Sequence, residues 1–174
     1  MNEIKEITQL GAKVLRLIAQ PVADVHNPEI LELIAAMKAT LASTQGVGLA
    51  APQIGASRRI VIVASRPTPR YPRAPLMEPT VMINPRFKPV SDATEKDWEG
   101  CLSIPGIRAL VPRYKSIRIE YTDEQGVLIV AQFDDFIARV YQHESDHLDG
   151  LVFLDRVDSN RDIFSESEYL KLMS

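Results

Sequence analysis

Residues 140–150 read VYQHESDHLDG and contain a His-Glu-x-x-His pattern. On a helix, residues i and i+4 lie about 40° apart and one turn displaced. His143 and His147 then point the same way and can share one metal ion. Glu144 sits beside the first imidazole, where a carboxylate can act on a nearby water without being a ligand. The chain has three histidines, His26 being the third, so imidazole is not scattered as surface filler. Phe136 and Val140 continue the stripe at i−7 and i−3 from His143, which turns the pair toward the core or a cleft.

A catalytic metal site of this kind usually has a third protein ligand. Downstream, Glu166 and Glu168 lie 19 and 21 residues after His147. Upstream, Cys101 sits in 98-WEGCLSIPG-106 and would be a strong soft ligand as a thiolate. Each has a plainer reading. A lone cysteine is often a small buried hydrophobe, and Glu166 belongs to a polar tail. Residue types alone leave the choice open.

A second stretch, 45-QGVGLAAPQIG-55, contains Gly46-x-Gly48-x-x-Ala51, formally a dinucleotide fingerprint. That fingerprint must follow a strand and open a helix. Here a helix precedes it, Pro52 interrupts it and a strand follows. It reads instead as a turn whose glycines supply positive φ. The functional alternative is a backbone that approaches a substrate closely, with Gln53 offering an amide.

These groups need a scaffold. Residues 28-PEILELIAAMKATLAST-44 predict an amphipathic helix, with Ile30, Ile34, Met37 and Leu41 in helical spacing and Pro28 at its first position. The run 58-RRIVIVAS-65 predicts a buried strand. Residues 66–80 hold five of the twelve prolines and predict a loop excluded from helix and central strand. Extended structure resumes over 81–90. The stretch 110–133 predicts a hairpin turning at Asp-Glu-Gln-Gly. Residues 134–150 predict the histidine helix, capped by Asp134 or Asp135 and ended by Gly150. A short surface helix is expected over 165–173. The order predicts an α+β fold of mixed, largely antiparallel sheets packed around a central C-terminal helix.

The 174 residues fit a single domain, 1–174, with a peripheral tail after about 158. A net charge of −3 argues against a broad nucleic-acid-binding face. No apolar run is long enough to span a bilayer, and the start, MNEIKEITQLG, lacks the pattern of a signal peptide. The single cysteine rules out an internal disulfide and fits a reducing compartment.

Three stretches in this order, 46-GVGLAAPQ-53, 99-EGCLS-103 and 143-HESDH-147, resemble the peptide deformylase family. The likeness extends over roughly residues 5–155. It implies that Cys101 is the third ligand with His143 and His147. It implies one Fe²⁺ per chain, replaceable by Zn²⁺, Ni²⁺ or Co²⁺. The implied activity is removal of the formyl group from N-formylmethionyl nascent chains, with Glu144 as general base and then acid. Gln53 and the backbone N–H of Leu102 would donate to the carbonyl oxygen. Val47, Gly48, Gly100, Phe136 and Val140 would contact substrate, with Arg139 near the rim; Asp146 reads as a structural carboxylate. The implied setting is the bacterial cytoplasm, or an organelle as the alternative, with the ribosome as a conceivable partner. Ser145 departs from the family, where a hydrophobic residue is frequent, and residues 66–80 look like an insertion.

Overall fold

The computed structural model describes residues 3–68 and 71–174. Helix α1 spans Pro28–Ala42, with Pro28 in its first turn and the Asn27 side chain accepting from the Glu29 amide. Strands β1 (Gly48–Ala50), β2 (Ile60–Ser65) and β3 (Met77–Pro89) follow, then β4 (Thr94–Cys101) and β5 (Ile104–Tyr114). Strands β6 (Ser116–Thr122) and β7 (Leu128–Asp134) lead into helix α2 (Asp135–Leu148). The chain closes with β8 (Ile163–Ser165) and α3 (Glu166–Met173). One sheet has the order β1-β2-β3-β6-β7, the other β4-β5-β8, and every strand pair is antiparallel. Helix α2 packs on strands of both sheets. This is the expected α+β arrangement around the histidine helix.

Strand β2 shows why an unbroken apolar run was needed. Val61 and Val63 face the cluster built on Tyr141, Ala138 and Leu148 of α2. Ile60 and Ile62 face the opposite cluster, with Ile30, Ile34, Met37 and Leu41 of α1. Side chains alternate across a strand, so a strand covered on both faces must be apolar at every position. Each fully buried Ile, Leu or Met contributes about 1.5–3 kcal/mol.

Several expectations are corrected. The proline-rich stretch is not all loop, because Met77–Thr80 belong to β3. Pro79 is tolerated there because the β2–β3 register shifts between Val63 and Ser65, and β6 pairs with β3 only from Ile83 onward. Residues 110–114 belong to β5 of the smaller sheet, so the hairpin is β6–β7 alone, turning through Gly126. After residue 158 the expected short helix is present as α3, β8 pairs with β5, and Tyr169 of α3 is buried against Trp98.

The ends of α2 differ from each other. Asp134 stands at the N-cap without capping. Its carboxylate accepts instead from Ser116 Oγ across the hairpin and from Gln132 Nε2 two residues back on its own strand, so strand partners have won. At the other end, Leu151 N–H bonds the Asp146 carbonyl and Gly150 N–H that of His147. Gly150 lies at φ 73°, and a Cβ there would also meet Arg16 O at 2.8 Å. This Schellman closure therefore requires glycine.

Candidate metal and catalytic centre

Helix α2 presents His143 and His147 to the turn that joins β4 to β5. Cys101 ends β4 and pairs across that turn with Ile104. One ligand atom from each of Cys101, His143 and His147 falls within 4.8 Å of the others, and all three residues are buried. Cys101 Sγ and His147 Nε2 are 3.4 Å apart. A tetrahedral ion with ordinary thiolate and imidazole bond lengths spaces its ligand atoms by about 3.5 Å. The donor set, one soft sulfur and two imidazoles, fits a first-row divalent metal. Glu166 is not among these donors. Its carboxylate pairs with Arg108 Nη2 at 2.6 Å.

His143 is oriented from behind. Its Nδ1 lies 2.9 Å from Glu99 Oε1, so Nδ1–H donates to the carboxylate and Nε2 is left for the cluster. Burial lowers the affinity of His143 for a proton, yet the Cys101 sulfur and then Glu99 lift it well above the ordinary value. His147 moves the other way, pushed well down by burial and then by the charge on His143.

Glu99 itself is buried and accepts from Arg113 Nε and Nη2, both at 2.9 Å, and from Arg139 Nη1 at 2.7 Å. Burial alone would raise its pKa; Arg113 and His143 hold it well below the carboxylate range. Arg113 Nη1 continues to Asp146 at 2.7 Å, and Asp146 also accepts from Arg156. Asp146 is thus a structural carboxylate behind the helix.

Glu144 is buried too, but among the described residues its Oε2 has no hydrogen-bond partner. Burial pushes its pKa up to about 7, against the pull of His143. A Cβ on Gly48 would overlap Glu144 Oε1 and crowd its neighbouring atoms, so glycine is needed for this approach. The expected positive φ at Gly46 and Gly48 is not found; within that stretch only Gly55 adopts it. Gln53 is buried, with Oε1 accepting from the Ala50 amide at 2.9 Å. That bond turns Nε2 toward Cys101 Sγ at 3.5 Å and Ser103 Oγ at 3.2 Å. Leu102 follows Cys101 in the β4–β5 turn, and its side chain packs against the α1 cluster.

A small cavity opens beside the donors, walled by Val47, Gly48, Phe136 and Val140, with Glu99, His143 and Glu144 at its base. Arg139 also lines it, but not at a rim. Its guanidinium is buried and bonded to Glu99, Val111 O and Glu95 O, because it neutralises Glu99. Gly100 lies beneath the Arg108 guanidinium. Ser145 is buried on α2. Sequence reasoning missed Arg113, for which no local pattern gave a signal, and Tyr71, whose ring also walls the cavity. Glu99 had appeared only as a letter in the EGCLS stretch.

Among the described residues no helix is long and apolar enough to cross a membrane. A family model for polypeptide deformylase matches residues 4–162. "Peptide deformylase 2" of a Nostoc species is 51% identical over 172 residues, covering 99% of this chain and 96% of the relative. "Peptide deformylase 2" of Ralstonia nicotianae is 45% identical, covering 88% of this chain and 87% of the relative. A Met-Ala-Ser-bound crystal structure of a class I type b peptide deformylase from Acinetobacter baumannii superposes with a TM-score of 0.87 at 41% identity. That match covers 90% of this chain and all of the other.

Proposed function

The chain belongs to the polypeptide deformylase family, and from that premise we propose that it hydrolyses the formamide of N-formylmethionyl nascent chains to release formate. The family is metal-dependent and removes N-formyl groups from nascent peptides. The observation that carries the reading is one arrangement. Cys101, His143 and His147 converge beside a buried Glu144 oxygen without a partner, with the Gln53 amide turned toward the same point.

In this reading Cys101, His143 and His147 hold one Fe²⁺, with Zn²⁺, Ni²⁺ or Co²⁺ as substitutes; the choice of iron rests on the family resemblance. A divalent ion there supplies the positive charge that acidifies water near neutral pH. Glu144 takes the proton of the attacking water and passes it to the departing amine. Gln53 Nε2 and the Leu102 backbone N–H donate to the formyl oxygen as it gains negative charge. One such donor is worth about 3 kcal/mol of barrier. Gln53 needs no reorganisation for this, because the Ala50 amide already fixes its orientation. Glu99 holds the His143 ring and its tautomer.

The methionine side chain enters the cavity between Val47, Phe136 and Val140. The peptide backbone lies extended along β1, an edge strand of the larger sheet, in a strand-addition mode near Val47 and Gly48. Tripeptide binding in the Acinetobacter relative is consistent with a peptide of this kind. The reading places the protein in the bacterial cytoplasm, acting on chains as they leave the ribosome.

The test is formate release from formyl-Met-Ala-Ser by protein prepared without oxygen and loaded with Fe²⁺. Glu144→Gln should keep one metal per chain and lose about 10²–10⁴-fold in turnover. No release by the native protein with one metal bound would sink the reading.

A further inference from the structure

The proline-rich segment ahead of β3 delivers Tyr71 to the catalytic cavity. Thr68 and Tyr71 exchange backbone hydrogen bonds, each at 3.1 Å, and the Ala74 amide donates to the Tyr71 carbonyl. Ala74 is buried, so the segment is seated on the C-terminal side of the tyrosine. The Tyr71 hydroxyl donates to the Trp98 carbonyl of β4 at 2.7 Å. Its ring meets Phe136 of α2 with centroids 4.6 Å apart. An aromatic pair so fixed at two ends is a wall rather than a surface ornament.

Two compartments share that wall. The one at the donors measures about 80 Å³ and is lined by Tyr71 and Phe136 together with Val47 and Val140. The second, about 430 Å³, is lined by the same two rings together with Trp98, Tyr169 and Met173. Trp98 is itself packed edge-on to Phe164 and Tyr169. The back of the wall therefore rests on β8 and α3, which gives the end of the chain a place in the site.

We propose that Tyr71 is a specificity-determining residue: with Phe136 it closes the side-chain cavity and limits it to slender, unbranched first residues. The proposal rests on the deformylase reading above. Without the ring, the cavity at the donors runs into the larger compartment, and an aromatic first residue gains room. A hydrophobic pocket discriminates by about tenfold to two-hundredfold per methylene-sized misfit. The opened wall should therefore shift preference by about tenfold or more.

The experiment compares kcat/KM for formyl-Met-Ala-Ser and formyl-Phe-Ala-Ser with iron-loaded protein. The native protein should favour the methionine peptide. Tyr71→Ala should shift the ratio at least about tenfold toward phenylalanine. Tyr71→Phe, which keeps the ring and gives up the bond to Trp98, should shift it less. Where Tyr71→Ala does not fold, Tyr71→Val carries the same test. Both peptides slowing equally in the alanine variant would mark Tyr71 as a mere staple of its loop and overturn the proposal. Release from neither peptide by the metal-loaded native protein would take down the deformylase reading and the wall with it. Native release with an unmoved ratio takes down the wall alone.

Discussion

Helix α2 carries two buried acids two residues apart, and the protein treats them oppositely. Glu144 lies at the Cys101–His143–His147 cluster, and one of its oxygens has no hydrogen-bond partner among the described residues. Asp146, about 200° round the helix, accepts from Arg113 at 2.7 Å and Arg156 at 2.8 Å. Glu99 extends the contrast, with Arg113, Arg139 and His143 all donating to it. The back of the helix is saturated, and the front keeps a lone carboxylate in a dry setting. A buried unpaired polar group is expensive, and the surroundings must hold it there. The saturated side is that support. It fixes α2 and the His143 ring, and in the proposed reading it thereby leaves Glu144 available for proton transfer.

The contrast can be broken from the back. Arg113→Leu would leave Glu99 and part of Asp146 as buried charges without their main partner. Removing one member of such a buried pair costs about 3–5 kcal/mol. Denaturant unfolding should show that loss, and an unchanged midpoint would mean that Arg113 supports nothing. A narrower cut is Glu99→Gln, which keeps an acceptor for His143 but removes the charge. Metal affinity should fall about 10–100-fold, read by competition with a chromogenic chelator, while the chain stays folded. Arg156→Gln is the mildest. Its side chain is 48% exposed, so the loss should stay within about 1 kcal/mol and shrink as salt is added. A larger effect would mean that Asp146 depends on its surface partner rather than on Arg113.

Much of the α2 front was legible in the chain. The spacing of His143 and His147, the stripe through Phe136 and Val140, and the closing Gly150 are all properties of one helix. Strand β2 was legible because a run of β-branched residues has few other uses. Asp134 shows the limit: a good capping residue lost its cap chiefly to Ser116, a partner that sheet register brings from the opposite strand. Pro79 is a second case. A proline that excludes a central strand is harmless at a register shift, and that shift is not written locally.

By itself, then, the sequence determined the periodic elements and the pair of imidazoles, because helix and strand geometry repeat over a few residues. Its ordered motifs added the family. The third donor was a different matter. Residue types left Cys101 and Glu166 open and the resemblance implied Cys101; the folded chain sets Cys101 3.4 Å from an imidazole 46 residues away and gives Glu166 to Arg108. The same holds for Arg113 between two acids and for Tyr71 against Phe136. Such meetings depend on sheet register and on which face of each element is buried. Many weak contacts spread over the whole chain settle those choices, and no short stretch carries them.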